Sequence, residues 1–381
     1  MRVRVLRANG LMISNLAKLI FPNREIIGVD IGNYAIKIVC FAREKKQLRL
    51  KNWGYIPYSV KPGAPPEEKN AIVAQEIKSF LKKNGVQAKC AAASVSGNAV
   101  IVRYVKLPKL SSKELSLTIS VEAEPFIPFD INDVNLTYFI LGDIADEGQA
   151  KMDTVLAAAK KEAVNDKIGI LLEAGLDPLV VDVDSFALET LYENVFQKPD
   201  DSTMLILNMG HKVTNLSIVS KGVTKVVRDI FIAGATFDKA ISKILKTDAA
   251  GGEAAKRKKG LLVTDQDKEA AIEEFDKEGI AASKAMATVL RDLYTEVSRS
   301  IDFYLSQGAE HSIAKIYLSG GMANLAGINK FMSEEFKVPV ETVNPFSFLD
   351  AGAGGNVPAD ILPSLAVAAG LALRRIKDWE E

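Results

Sequence analysis

Two short stretches of this chain repeat one another. Residues 26–41 read IIGVDIGNYAIKIVCF, and residues 204–220 read MLILNMGHKVTNLSIVS. Each is an apolar run closed by Asp or Asn, then one residue, a glycine and a second apolar run. Asp30 and Gly32 match Asn208 and Gly210, and Ile38 and Cys40 match Leu216 and Ile218. A strand, a tight glycine turn and a returning strand account for this pattern. Such a turn aims backbone N–H groups outward, which suits a phosphate. Two copies about half a chain apart predict a duplicated fold that clamps one phosphate group from both sides.

The 381 residues suffice for two domains with cores of their own. Lys and Arg number 48, as do Asp and Glu, so the formal net charge is zero. No bulk positive field exists to attract a polyanion, which argues against nucleic acid as a partner. Cys40 and Cys90 fall on apparent strands and read as small buried hydrophobes. His211 and His311 are the only histidines. So few ligands exclude a zinc cluster. No uncharged apolar window reaches the ~18–20 residues of a membrane span. The basic N-terminus and the patch LMISNLAKLIF lack a cleavage signal, so the protein is expected in the cytoplasm.

Helical spacing of Met12, Ile13, Leu16, Leu19 and Ile20 predicts an amphipathic helix in an N-terminal tail, residues 1–23. Strands are expected near 26–31, 35–42, 47–56 and 89–95, with a helix over 67–83. Residues 97–176 alternate as β-α-β-β-α, a small α+β module inserted into the first lobe, with Ser112 as the N-cap of its first helix. The first lobe spans 24–96 and 177–200. The second spans 201–376, with a helical, charge-rich subdomain at 235–310. The strand VTKVVRDIFIAG is expected to run to Gly234, and AKIYLSGG to end in Gly320 and Gly321.

This ordered set resembles the actin-like ATPase superfamily of actin, chaperones, sugar kinases and bacterial division proteins. Within it the chain resembles the PilM family of type IV pilus assembly proteins, from about residue 24 to 376. The matching segments are GVDIGNYAIKIV, VEAEPFIPFD, VDVDSFALE, NMGHKVTNLSIV, RDIFIAG, LSGGMANLAGI and PSLAVAAGLALR. The EAEPFIPFD stretch distinguishes the pilus family from its division relative FtsA. The resemblance implies a duplicated, actin-like (ribonuclease H-like) two-lobed α/β fold with a small inserted α+β subdomain. It also implies ATP or ADP with Mg2+ in a cleft between the lobes.

On that reading Asp30 orients hydrated magnesium through water, since that hard cation gives up its waters reluctantly. Gly32 allows close phosphate approach. The N–H groups of Asn33 and Tyr34 face the phosphates, and Lys37 supplies a cation. Relatives carry small hydroxyl residues where Asn33 and Tyr34 stand, so Tyr34 either stacks on the cleft wall or narrows it. Asn208 stands where relatives are acidic. An amide orients water but carries no charge, which points to weak or absent hydrolysis, because phosphoryl transfer depends on positioning and electrostatics. His211 and Lys212 at the second turn either pair with a terminal phosphate or face solvent. Thr214 and Gly234 match family positions, Gly234 one that approaches the phosphates. Glu253 and Lys256 match contacts to ribose and base, against the alternative of a solvated helical ion pair. Gly320, Gly321 and Met322 match the adenosine loop.

The resemblance further implies a groove between the insertion and the first lobe that receives the N-terminal cytoplasmic tail of a membrane partner, PilN. Phe126, Ile127 and Phe129, stiffened by Pro125 and Pro128, read either as its wall or as the subdomain's own core. The function implied is an ATP-binding adaptor, peripheral at the inner membrane, that joins a membrane subcomplex to the pilus motor and platform proteins. Its nucleotide state would set the angle between lobes. Self-association into a homo-oligomer or filament stays open. Two alternatives remain: a membrane-tethering division protein anchored by the N-terminal helix, and a small-molecule kinase of the same fold.

Overall fold

The computed structural model describes residues 25–44, 47–61, 63–146, 148–196, 202–306 and 312–374. The helix expected over 12–21 and His311 lie outside them. The chain divides into two compact units. One runs to residue 197 and takes back 346–356 and the segment from 367; the other holds 198–345 and 357–366.

The first unit opens with the meander β1 (Ile26–Ile31), β2 (Ala35–Glu44) and β3 (Gln47–Pro57), then α1 (Pro66–Lys83) and β4 (Cys90–Val95). Helix α1 starts on a proline, with Glu67 and Glu68 in its first turn and Lys82 and Lys83 in its last. Those charges complement the helix dipole at both ends. β4, CAAASV, is buried at every residue, as a strand covered on both faces should be. β5 (Val100–Pro108), α2 (Ser112–Ala123), β6 (Val134–Asp146) and β7 (Gln149–Lys160) follow, then α3 (Lys161–Glu173), β8 (Asp177–Val183) and α4 (Asp184–Val195).

The strands order as β3-β2-β1-β4-β8 in one sheet and β5-β7-β6 in another. The three-stranded sheet has its own core of Val105, Leu107, Leu115, Val134, Met152 and Leu156. The N-cap of α2 is Ser111, not Ser112. Ser111 accepts from the Glu114 N–H, and the Glu114 carboxylate takes the Ser111 N–H at 2.9 Å, a reciprocal capping box. Helix α3 follows β7 directly but packs elsewhere. Its Ile170 and Leu171 join the core under the five-stranded sheet.

The second unit repeats the first sheet's plan. β9 (Thr203–Met209), β10 (Thr214–Ser220) and β11 (Val223–Ile230) form the meander. Helices α5 (Gly234–Leu245), α6 (Ala249–Lys259), α7 (Asp265–Glu273) and α8 (Lys277–Ser306) follow, then β12 (Lys315–Ser319), α9 (Ile328–Phe336) and β13 (Val340–Thr342). The order is β11-β10-β9-β12-β13, with β12 parallel to both neighbours, as β4 is parallel to β1 and β8 in the first sheet. The likeness reaches irregularities. The pairing of β2 with β3 shifts register between Cys40 and Phe41, and that of β10 with β11 shifts between Ile218 and Val219, the matching position.

β11 stops at Ile230, short of the expected Gly234. The Ile232 carbonyl accepts the Thr214 hydroxyl at 2.7 Å, and Gly234 opens α5. The last helix, α10 (Ala366–Ala372), ends against β1 and α4. A Cβ on Gly28 would lie 2.0 Å from the Ala368 carbonyl oxygen, and one on Gly370 1.9 Å from that of Ala187. Only glycine permits these backbone approaches.

Candidate functional site

Each repeated segment forms the expected hairpin, and the two turns close identically. The Gly32 N–H donates to the Ala35 carbonyl at 3.2 Å, and the Gly210 N–H to that of Val213 at 2.9 Å. Behind them, Asp30 lies across from Lys37 and Asn208 across from Asn215. A Cβ on Gly32 would meet Lys37 Nζ at 2.5 Å and the Ala35 oxygen at 3.0 Å; one on Gly210 would meet the Val213 oxygen at 2.9 Å. At Gly210 backbone stands against any side chain, whereas at Gly32 a side chain would have to displace the Lys37 ammonium.

At the first turn, Lys37 Nζ is 3.0 Å from Asp30 Oδ2, and both side chains are mostly buried. Asn33 is exposed at the tip and Tyr34 is half-buried. Three groups absent from the sequence reading complete the surroundings. The Tyr58 hydroxyl donates to the Gly32 carbonyl at 2.6 Å, and burial, with Asp30 nearby, pushes its pKa up to about 12. Lys167 Nζ donates to the Ile31 carbonyl at 3.1 Å. Asp184, the first residue of α4, acts on Lys167 as an opposite charge. These groups gather at the carboxyl ends of β1 and β8, the edge where open α/β sheets take ligands.

At the second turn a pair of amides replaces the ion pair. The Asn208 amide donates to Asn215 Oδ1 at 2.8 Å, and the Asn215 amide to Asp229 Oδ1 at 2.8 Å. The Ser319 hydroxyl donates to Asn208 Oδ1 at 3.2 Å. Asn208, Asn215 and Ser319 are all buried. Of these only Asn208 stood out in the sequence. Aligning the hairpins on their glycines places Asn215 opposite Lys37, a signal that was available there.

The second turn is also stitched to α5: Gly234 N–H donates to the Gly210 carbonyl at 3.0 Å, and Ala235 N–H to that of His211 at 2.7 Å. A Cβ on Gly234 would lie 3.3 Å from the Gly210 oxygen and 3.5 Å from Met322 Sδ, so Gly210, His211, Gly234 and Met322 come together. Lys212 is exposed at the tip. Burial lowers the His211 pKa, with Asp238 and Glu253 opposing and Lys256 and Lys212 adding to the fall. Thr214 is fully buried, its hydroxyl engaged by Ile232.

Glu253 and Lys256 do not pair with each other. Lys256 Nζ sits 2.7 Å from Asp238 Oδ1 in a buried pair, and Glu253 binds Arg257 one turn along α6. Gly320 takes φ +82°, its N–H donates to the Pro363 carbonyl at 2.8 Å, and a Cβ there would lie 2.4 Å from the Met209 oxygen. Gly321 has its nearest would-be contact at Ser364, and Met322 is buried. In the insertion, Ile127 is part of the core and Phe129 packs against it beneath Lys160 Nζ, 4.9 Å from the ring centre. Phe126 is 38 % exposed. On α2, Leu117 and Val121, one turn apart, are 77 % and 70 % exposed and were not singled out by sequence.

The donor set fits a nucleotide with a hydrated hard cation. Each glycine turn exposes backbone in place of a side chain, and Asp30 supplies one carboxylate at the first. Among the described residues no group of three or more His, Cys, Asp or Glu side chains could hold a metal directly. Nor, among them, is any helix long and apolar enough to cross a membrane.

A family model described as type IV pilus assembly protein PilM matches residues 28–376. The structure is similar to that of a PilM-PilN type IV pilus biogenesis complex, with TM-score 0.77 and 29 % identity over 94 % of this chain and 100 % of that one. It also matches the ethanolamine utilization protein EutJ from Carboxydothermus hydrogenoformans, with TM-score 0.49 and 13 % identity over 91 % and 88 % of the two chains. MreB 5 of Spiroplasma citri bound to AMPPNP matches with TM-score 0.47 and 12 % identity over 91 % and 95 %. The duplicated sheets and the 0.77 match establish the actin-like α/β fold. With the family model spanning nearly all of it, the chain belongs to the type IV pilus assembly protein PilM family.

Proposed function

We propose that this chain is a nucleotide-binding adaptor of type IV pilus assembly, working at the cytoplasmic face of the inner membrane. Its glycine turns are phosphate-binding elements for an adenine nucleotide, ATP or ADP. Asp30 orients the waters of Mg2+, and Gly320, Gly321 and Met322 serve the adenosine. The observation that carries this reading is the pair of hairpins closed by the same bond and alike in register, in a chain of the PilM family.

Hydrolysis is slow or absent on this reading. Asn208 takes no proton from water, and its amide is already committed to Asn215 and Ser319. The partner on this reading is the N-terminal tail of PilN; that the similar structure is a PilM-PilN complex supports PilN as the partner. The inserted subdomain receives it, where Phe126 and the α2 side chains Leu117 and Val121 offer exposed apolar surface. An extended tail would add backbone pairing to such apolar contacts. Pilus motor and platform proteins lie beyond PilN in this scheme.

Calorimetry of ligand-stripped protein with Mg-ATP, then with a synthetic PilN tail peptide, tests both halves. Binding of each, with turnover far below that of an active ATPase, is expected. No affinity for adenine nucleotides ends the nucleotide half. Unaltered peptide affinity in the Leu117→Ser/Val121→Ser variant removes the peptide from α2.

A further inference from the structure

One group beside the first turn has no part in the reading above. Lys167, on α3, is half-buried, and its Nζ reaches the carbonyl of Ile31, between Asp30 and Gly32. An ammonium has three N–H donors. The Ile31 carbonyl at 3.1 Å is the one acceptor the described residues give it. Asp184 and Asp30 act on it as opposite charges, Lys69 and Lys37 as like charges, and burial is the strongest influence, lowering its pKa. A cation drawn out of water needs compensating partners. One backbone oxygen and two carboxylates, one of them held by Lys37, leave it suited to a further anion.

The position of α3 adds a second consideration. Lys160 ends β7 and Lys161 begins α3, so no linker separates the three-stranded sheet from the helix that carries Lys167. Through Ile170 and Leu171 the same helix is seated in the core of the five-stranded sheet. A ligand that pulls on Lys167 therefore pulls on a rigid rod continuous with the insertion.

We propose that Lys167 contacts the phosphates of the bound nucleotide and, through α3, couples nucleotide occupancy to the inserted sheet. The inference rests on the nucleotide reading given above. The competing role is a strap that only fixes the Ile31 carbonyl.

Three proteins separate the two roles: the unaltered chain, Lys167→Met, which keeps the alkyl stem without the charge, and Lys167→Arg, which keeps the charge. Each is titrated calorimetrically with Mg-ATP, Mg-ADP and adenosine, and hydrogen exchange is followed over residues 134–160 with and without Mg-ATP. Lys167→Met should weaken Mg-ATP about tenfold or more, since charge-assisted contacts to phosphate are among the stronger hydrogen bonds. It should leave adenosine binding unchanged and abolish the ATP-induced change in exchange, while Lys167→Arg retains both. Equal Mg-ATP affinity in the unaltered chain and Lys167→Met overturns the proposal, whatever happens to the melting temperature. Should Lys167→Met not fold, Lys167→Gln takes its place under the same criteria. Absence of ATP binding by the unaltered chain defeats the nucleotide reading itself, and is seen before any variant is made.

Discussion

At matching positions, the first hairpin sets Asp30 across from Lys37 and the second sets Asn208 across from Asn215. The backbones agree down to the turn bond and the register shift in the neighbouring pairing. The chemistry does not. The first pair is an ion pair, 3.0 Å apart, whose side chains keep 13 % and 16 % exposure. The second is wired on both sides, to Ser319 and through Asn215 to Asp229. It fixes an amide's orientation and carries no charge in the pair itself. The two hairpins thus share one backbone geometry, while the second carries an amide where the first carries a carboxylate.

The largest effect should come from the backbone behind the first hairpin. Gly28→Val drives a side chain into the Ala368 carbonyl and should destabilise the first unit by roughly 4 kcal/mol or more, read from denaturant melts. Ile206, the matching position of the second hairpin, is an ordinary buried side chain. Ile206→Val should cost about 1 kcal/mol. Similar losses in the two variants would mean that the hairpins are supported alike.

Next comes exchange of the pairs. Asn208→Asp removes the donor to Asn215 and sets a carboxylate against an amide oxygen, at a cost of about 2 kcal/mol. Adding Asn215→Lys rebuilds the first hairpin's pair in the second and should recover about 1 kcal/mol in a double-mutant cycle. Strict additivity would show that the cross-strand pair is not the unit that matters.

The turns are also held differently. Tyr58 ties down the first through the Gly32 carbonyl, whereas α5 N–H groups tie down the second. Tyr58→Phe should therefore cost about 1 kcal/mol and loosen exchange protection at the first turn alone. Equal loosening at both turns would break the distinction.

The smallest effect is in pH dependence. Burial holds the His211 pKa below its usual 6.5, so below pH 6.5 the unfolded chain takes up a proton that the folded chain resists. Stability should fall as the pH drops through that region and level off below the folded pKa. His211→Gln should flatten the slope. The groups that act on this imidazole are Asp238, Lys256, Glu253 and Lys212. An unchanged slope would place the titration elsewhere.

Much of this was legible in the sequence because the hairpins are local. Alternation and a glycine fix a strand, a turn and a return within about twenty residues, and both appear where expected. What lay hidden comes from distant chain segments. Lys167 reads as an ordinary surface lysine until α3 folds against β1. Asp184 and Tyr58 likewise carry no local signal. Ser111 and Ser112 are adjacent candidates for one cap, and only the reciprocal bond with Glu114 decides between them. Glu253 and Lys256 sit at pairing distance on a helix, yet Asp238, on another helix, claims the lysine. Ile127 went to the core because it is flanked by residues that build that core.

The contact of Gly28 with α10 has a bearing on biosynthesis. β1 emerges from the ribosome early, but the backbone that covers it, at Ala368 and Ala372, is translated hundreds of residues later. The nascent first sheet must wait with its small-residue face bare, during which it is open to chaperones and to misassembly. Arg374, which pairs with the buried Asp182 at 2.7 Å, acts as the latch on that closure.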